Sequence, residues 1–243
     1  MRESLQGKAA LITGATSGIG KSIALMLSKL GMDLCLVGRD GRKLDQLKQQ
    51  LHSNGQTNNF FQCDLSSIDA IQQLVTNVEQ ADVQLDVLIH CAAEIVIKSI
   101  EDTEASDLDG QYFTNIRAPY MLSKLLLPNL VKQKGQVVFV NSSAALQKAR
   151  ANLVAYTATK YALVAIADGL RDEINNLGVR VISIYPGRTA TPMQEEIYRF
   201  ENREYEQASL LQPADVSMLI VDAITVPRTA EVTDISVRPY NKN

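Results

Sequence analysis

Short apolar segments alternate with longer segments of helical periodicity along almost all of this 243-residue chain. Each apolar segment has the length of a buried strand, and the segments between them are long enough to return as crossover helices. This alternation predicts parallel strands joined by helices in one sheet. The expected strands are residues 8–13, 33–38, 59–63, 86–92, 136–141, 179–185 and 234–238.

Helical segments are expected between these strands. One follows Gly14 and stops at Gly31, a second begins at Asp40, and the others cover about 66–81, 106–133, 153–176 and 213–225. We therefore expect an α/β fold, a single Rossmann-type doubly wound parallel sheet of about seven strands with helices on both faces. Residues 1–243 would form one domain, in which about 188–210 is long enough for a lid but too short for a second domain.

The composition argues against several classes of protein. Hydrophobic residues make up 46% of the chain and aromatic residues 5%, which predicts the aliphatic core of a buried parallel sheet. The net charge of -3 gives no support for a nucleic-acid partner, and no leader segment or 18-residue apolar run is recognisable. The three cysteines lack metal-ligand spacing. We expect a cytoplasmic protein with no metal site and no membrane partner.

A glycine-rich turn, TGATSGIG, joins the first strand to the first helix. Gly14 permits the tight turn, Gly18 lets the backbone approach a pyrophosphate, and Gly20 lets the helix pack closely on the strand. The helix N-terminus offers free N–H groups to phosphate oxygens. The pattern indicates a dinucleotide site, and an ordinary strand-to-helix turn is the alternative. The residues expected to contact the dinucleotide here are Gly14, Thr16, Ser17, Gly18, Ile19 and Gly20.

The corner after the second strand bears on which dinucleotide is bound. An acidic side chain there favours the 2′-hydroxyl of NAD(H), and a basic side chain favours the 2′-phosphate of NADP(H). Arg39 can place its guanidinium on phosphate oxygens, whereas Asp40 fits the N-cap of the next helix. The corner predicts NADP(H), and NAD(H) held by Asp40 is the alternative.

A tyrosine and a lysine in the segment YTATK share one face of a predicted helix, because Tyr156 and Lys160 are four residues apart. A free phenol has a pKa of about 10, which is too high for acid–base work near neutrality. A neighbouring ammonium favours the phenolate and would lower that pKa. Hydride transfer needs such a group to exchange the hydroxyl proton. The alternative is an exposed Tyr and Lys without chemistry.

TGATSGIG, YTATK and NSS (141–143) resemble the cofactor turn, the YxxxK motif and the serine motif of the short-chain dehydrogenase/reductase family, over nearly the whole chain. The resemblance implies an NADP(H)-dependent oxidoreductase that interconverts a carbonyl and an alcohol. Tyr156 would be its acid/base, and Lys160 would lower the phenol pKa and bind the ribose. The spacing of thirteen residues to Tyr156 selects Ser143 over Ser142 as the hydroxyl that binds the carbonyl oxygen.

Asn115 matches the family's helix asparagine, which holds a water of a proton relay. Pro119 lies four residues later and has no N–H, so the Asn115 carbonyl loses its helical partner and a kink is expected. A proline kink without chemistry is the alternative.

Further cofactor contacts follow from the resemblance alone. The turn PGRTAT (186–191) resembles the family's carboxamide-binding turn, and Asp64-Leu65 matches the pair at the adenine. His90-Cys91-Ala92-Ala93 stands where the family has Asn-Asn-Ala-Gly; we expect His90 to be a hydrogen-bonded core residue rather than a redox or proton group. The implied cofactor residues are Asp64, Leu65, Cys91, Ala92, Ala93, Tyr156, Lys160, Pro186, Gly187, Thr189 and Thr191.

Two other functions remain as alternatives. One is a non-catalytic NADP-binding sensor or scaffold of the same fold, and the other is an epimerase or dehydratase of the family's extended branch. The expected partner is a small carbonyl or alcohol substrate in a pocket lined by parts of 93–100, 144–154 and 188–210. The resemblance also implies a homodimer or homotetramer, packed through helices at about 106–133 and 153–176.

Overall fold

Seven strands form one parallel sheet in the computed structural model, which describes residues 3–51 and 55–240. The strand order is β3-β2-β1-β4-β5-β6-β7, and every neighbouring pair is parallel. The chain therefore winds outward in both directions from β1 and β4, and a crevice opens outside their carboxyl ends. The strands are β1 Ala9–Thr13, β2 Asp33–Gly38, β3 Asn58–Gln62, β4 Leu85–His90, β5 Gln136–Val140, β6 Arg180–Pro186 and β7 Asp234–Val237.

Helices cover both faces of this sheet, which confirms the predicted fold class. Side chains of β1 alternate between two cores: Ala10 and Ile12 pack with α1 and α8, whereas Leu11 packs with α3, α5 and α6. The helices are α1 Gly18–Lys29, α2 Gly41–Lys48, α3 Ile68–Gln80, α4 Ala105–Tyr112, α5 Ala118–Gln133, α6 Val154–Ile174, α7 Pro192–Phe200 and α8 Pro213–Ile224.

The helix predicted over 106–133 is divided in the structure. A π-helical turn, Phe113–Arg117, separates α4 from α5, and the N–H of Ala118 bonds to the carbonyl of Phe113. Pro119 explains the position of the break, because it cannot donate to the Asn115 carbonyl. The expected kink is therefore present, but it takes the form of a widened turn.

The segment expected to form a lid contains one regular helix, α7. Thr191 caps it by accepting a hydrogen bond from the N–H of Gln194, and Pro192 occupies its first turn. Across residues 3–51 and 55–240, no helix combines the length and apolarity needed to cross a bilayer.

Candidate active site

A cavity of about 880 Å³ occupies the crevice at the carboxyl ends of the strands. Every residue expected to bind the cofactor lines it, as do Tyr156, Lys160 and Ser143. Asn115 does not line the cavity and is 1% exposed. From the expected pocket segment 93–100, the lining residues are Ala93, Glu94 and Ile95. The fold thus brings together residues from distant parts of the chain.

The glycine turn packs so closely on neighbouring backbone that side chains at its glycines would collide with that backbone. Gly14 and Gly18 have positive φ angles of 66° and 50°. A Cβ on Gly14 would lie 2.8 Å from the Ala92 Cα, and a Cβ on Gly20 would lie 2.3 Å from the Gly14 oxygen. No side chain caps the N-terminus of α1 at Ser17, so its N–H groups are available to phosphate oxygens. These features fit a dinucleotide pyrophosphate.

The two charged residues at the corner after β2, Arg39 and Asp40, have different surroundings. The Asp40 carboxylate accepts hydrogen bonds from the N–H groups of Arg42 and Lys43, at 2.9 and 3.3 Å, which confirms Asp40 as the N-cap of α2. The Arg39 side chain is exposed and lines the cavity. Across the corner, hydrogen bonds from the backbone and hydroxyl of Ser66 hold the pKa of Asp64 below its usual value. Arg39 is therefore the charged residue of this corner whose side chain is open to the cavity, while Asp40 caps α2.

Tyr156 and Lys160 lie buried on α6. The ammonium of Lys160 is 5.6 Å from the centroid of the Tyr156 ring and donates to the Val140 carbonyl at 3.4 Å. Burial lowers the pKa of Lys160 to about 8 and raises the pKa of the Tyr156 phenol. The expectation that the ammonium lowers the phenol pKa is not met, because desolvation is the largest influence on that pKa and Lys160 is not among the groups that shift it. The phenol therefore carries its proton at neutral pH.

The serine hydroxyl that interacts with the Tyr156 phenol is that of Ser142, and this hydrogen bond opposes the rise of the phenol pKa. Ser142 also accepts from the N–H of Ala144, at 3.1 Å, and caps the 3-10 turn Ser143–Leu146. Ser143 lines the same cavity one residue later. Both hydroxyls are therefore in the crevice, and the assignment of Ser143 as the one that binds the carbonyl oxygen stays a prediction.

Asn115 joins two walls of the crevice. Its side chain accepts from the N–H of Glu94 and donates to the carbonyl of the same residue, both at 2.8 Å. It also donates to the Thr159 hydroxyl at 3.0 Å, and that hydroxyl donates to the Tyr156 carbonyl. Asn115 thus fixes the segment after β4 against α6, the helix that carries Tyr156.

Asn141 is a positioning residue that the sequence analysis did not single out. Its side chain donates to the Lys160 carbonyl at 3.2 Å and accepts from the N–H of Ser142 at 2.9 Å. One amide therefore orients the turn that carries the serines relative to the helix that carries the lysine. The sequence feature that could have identified Asn141 is its position as a polar residue directly after a buried strand.

His90 is the last residue of β4 and Cys91 follows it, and burial keeps both side chains uncharged. The His90 ring is buried, lies 2.9 Å from the Ser123 hydroxyl and stacks on Phe139, and burial lowers its pKa to about 3. Burial raises the pKa of Cys91 to about 12, so the thiol stays protonated. The prediction that His90 is a hydrogen-bonded core residue is confirmed. Within residues 3–51 and 55–240, no cluster of three or more His, Cys, Asp or Glu side chains suits a metal.

Arg188, expected in the substrate pocket, is engaged in an ion pair. Both of its terminal nitrogens donate to the Glu201 carboxylate, and its guanidinium lies 4.9 Å from the centroid of the Tyr198 ring. Arg203 lies 5.1 Å from the same centroid. These contacts hold α7 against the turn that follows β6.

Comparison with known proteins agrees with this geometry. The sequence model of the family described as short chain dehydrogenase matches residues 8–202. An uncharacterized oxidoreductase of Staphylococcus epidermidis is 30% identical over 233 residues, which is 96% of this chain and 97% of that protein. A metagenomic short-chain oxidoreductase, solved with NADP, is 27% identical with a TM-score of 0.84, covering 99% of this chain and 100% of that one.

A more distant structure shows the same fold with the other cofactor. The 3-ketoacyl-(acyl-carrier-protein) reductase of Brucella melitensis, solved with NADH, is 23% identical with a TM-score of 0.84, covering 96% of this chain and 98% of that one. The fold alone therefore does not select the cofactor.

Proposed function

Because this chain belongs to the short-chain dehydrogenase family and is an oxidoreductase, we propose that it uses NADP(H) to interconvert a small carbonyl compound and its alcohol. The observation that carries the proposal is the meeting of Tyr156, Lys160 and a serine hydroxyl in the crevice that also contains the glycine turn. A proton donor and a dinucleotide cradle in one cavity suit hydride transfer coupled to proton transfer.

The nicotinamide cofactor, when bound, supplies or accepts the hydride. The Tyr156 phenol donates its proton to the substrate oxygen, which fits its protonated state in the structure. The serine hydroxyl donates a hydrogen bond to that oxygen as negative charge develops. Lys160 binds the ribose and returns a proton to the phenol. Asn115 holds the relay water through its backbone and positions α6 through its side chain.

The cofactor would lie along the carboxyl edge of the sheet. The glycine turn holds the pyrophosphate, the pair Asp64-Leu65 meets the adenine, and Arg39 meets the 2′-phosphate. The carboxamide is held near Thr189, in the turn after β6. We further propose that 1–243 is one domain, that 188–210 closes over the substrate, and that the protein works in the cytoplasm.

The test of this function is cofactor oxidation by the purified protein. Ketones, aldehydes, 3-oxoacyl thioesters and quinones are assayed with NADPH and with NADH in parallel. We expect turnover of at least one carbonyl class with NADPH and little with NADH. Tight NADPH binding without turnover of any carbonyl would favour the sensor or scaffold instead.

Substitution Arg39→Ala tests the choice of cofactor. Removal of a charged hydrogen bond to the 2′-phosphate is expected to raise the KM for NADPH about 30-fold and to leave the KM for NADH unchanged. Arg42→Ala is the matched control, because Arg42 is exposed at the start of α2 and does not line the cavity. A wild-type preference for NADH would show that Asp40, and not Arg39, selects the cofactor.

Substitutions Ser142→Ala and Ser143→Ala decide which hydroxyl binds the substrate oxygen. We expect Ser143→Ala to lower kcat about a hundredfold, as the loss of one preorganised donor does, and Ser142→Ala, whose hydroxyl caps the turn by accepting from the N–H of Ala144, to have a much smaller effect. The reverse ranking would move the assignment to Ser142.

A homo-oligomer remains part of the proposal. Large apolar side chains are exposed on the helices implied in packing between copies. Leu108, Tyr112, Tyr120 and Tyr161 are 45–54% exposed on α4, α5 and α6, and such exposure suits a protein interface.

A further inference from the structure

We propose that the substrate of this enzyme carries an anionic group, a carboxylate or a phosphate, and that Lys148 and Arg150 bind it. The inference rests on the proposed function and deepens it by naming the class of substrate. It follows from the charge that remains in the cavity after each side chain is assigned.

The cavity is strongly cationic, although the whole chain carries a net charge of -3. Two carboxylates line it, Asp64 and Glu94, and the cations outnumber them threefold. A cationic cavity in an acidic protein attracts anions selectively. The lining cations are Arg39, Lys148, Arg150, Lys160, Arg188 and Arg238.

Half of these cations already have a role. Lys160 belongs to the proton relay, Arg39 faces the expected 2′-phosphate, and Arg188 is neutralised by Glu201. Lys148 and Arg150 are exposed, and neither is in an ion pair with any residue of 3–51 or 55–240. They are therefore available to a ligand. The sixth cation, Arg238, packs beside Gly187 in the turn expected to hold the carboxamide and is not part of the loop that carries Lys148 and Arg150.

The Glu94 carboxylate contacts other residues and does not neutralise Lys148 and Arg150. It accepts a hydrogen bond from the Thr114 hydroxyl at 3.3 Å, and its oxygens lie 3.3 and 3.5 Å from where a Cβ of Gly110 would be. Glu94 therefore packs on the helix that begins at Ala105 and does not neutralise the loop that carries the two cations.

That loop, residues 147–153, is fixed at both ends. The Tyr161 hydroxyl donates to the Gln147 carbonyl at 2.8 Å, and the N–H of Lys98 donates to the Asn152 carbonyl at 3.1 Å. The N–H of Leu153 also bonds to the Arg150 carbonyl, at 3.2 Å. Two flexible cationic side chains thus project from an ordered backbone, which reduces the entropy lost on binding.

The phosphates of the cofactor are not the target of these cations. Arg39 follows β2, whereas the loop follows β5, and β1 and β4 lie between those strands. Three steps across a sheet amount to about 14 Å. The strand that leads to the loop is therefore well separated from the strand that leads to Arg39, which leaves Lys148 and Arg150 for the substrate and not for the 2′-phosphate.

The test compares carbonyl substrates that differ in charge, using NADPH and the full-length protein. Acetoacetate is paired with methyl acetoacetate, and glyceraldehyde 3-phosphate with glyceraldehyde, so that the two arms separate a carboxylate from a phosphate. The variant is Lys148→Gln/Arg150→Gln. The control is Lys29→Gln/Lys132→Gln, which removes the same charge from exposed positions outside the cavity.

We expect the loop variant to raise the KM for the anionic member of a pair about 30-fold, with kcat and the KM for the neutral member little changed. The control variant should match the wild type. Equal effects on both members, or a wild-type preference for the neutral member, would overturn the inference and leave the proposed function intact.

A binding measurement decides the matter if no compound in the panel is turned over. Calorimetry on the complex with NADP+ then compares malonate and inorganic phosphate with neutral malonamide. At least tenfold weaker binding of either anion by the loop variant supports the anion site, even if the catalytic proposal fails. Absent or unchanged anion binding would overturn it.

Discussion

Replacing Tyr156 with Phe is expected to lower kcat about a thousandfold, within the range by which a positioned general acid accelerates a reaction. The substitution removes one hydroxyl and keeps the ring, which is 9% exposed and packed beside Lys160. Cofactor binding should therefore persist, and we expect the Kd for NADPH to stay within about twofold of the wild type because the glycine turn is untouched. The measurements are NADPH oxidation with the best substrate and a fluorescence titration with NADPH.

Tyr120→Phe is the control for this loss. Tyr120 is 54% exposed on α5 and does not line the cavity, so its hydroxyl should not affect turnover. Retention of more than a tenth of wild-type kcat by Tyr156→Phe would exclude the phenol as the proton donor. Loss of both turnover and NADPH binding would instead indicate that the variant disturbs the fold of the crevice.

The sheet could be predicted closely because its determinants are local. A strand buried on both faces must be apolar along its whole length, and β2 was expected and found over the same residues, 33–38. The need for Gly20 is equally local, since a Cβ there would collide with the Gly14 oxygen in the same turn, whereas a Cβ on Gly14 would collide with Ala92 from a distant segment. Segment order and turn chemistry were therefore sufficient to place the crevice.

The finer features of the site depend on contacts between distant segments. Spacing selects Ser143, but the influence of the Ser142 hydroxyl on the phenol pKa depends on the fold of the turn after β5. Arg188 lines the cavity as expected, but its ion pair with Glu201, the residue after α7, could not be read from the sequence. No local pattern contains these pairings, because they arise only when the helices dock.

The same limit applies to the acid–base pair. Helical spacing placed Tyr156 and Lys160 on one face, but the sign of the phenol pKa shift depends on how deeply both groups are buried. Desolvation is a property of the packed core. Desolvation disfavours the charged forms of both groups, the Tyr156 phenolate and the Lys160 ammonium, more than the sequence alone indicated.

Replacing Arg180 with Met is expected to destabilise the fold by about 3 kcal/mol, because it leaves several carbonyls at and beyond the end of α8 without their charged donor. Arg180 begins β6, is 7% exposed, and donates from one terminal nitrogen to the carbonyls of Val226 and Ala230, at 3.0 and 2.9 Å. Its other terminal nitrogen reaches the carbonyl of Ile224, the last residue of α8. The guanidinium thus satisfies carbonyls at a helix C-terminus, where positive charge is also favourable.

The measurement is thermal unfolding without cofactor, in which a loss of this size lowers Tm by about 9 °C for a chain of this length. The Tm of Arg180→Lys should lie between that of Arg180→Met and that of the wild type, because lysine keeps the charge but lacks the forked donors of the guanidinium. Arg180 lies at the amino end of β6, on the opposite edge of the sheet from the crevice. The kcat of the folded Met variant should therefore match the wild type at low temperature. An unchanged Tm would show that the carbonyls beyond α8 do not need the guanidinium, and a lowered kcat would show that this edge is coupled to the site.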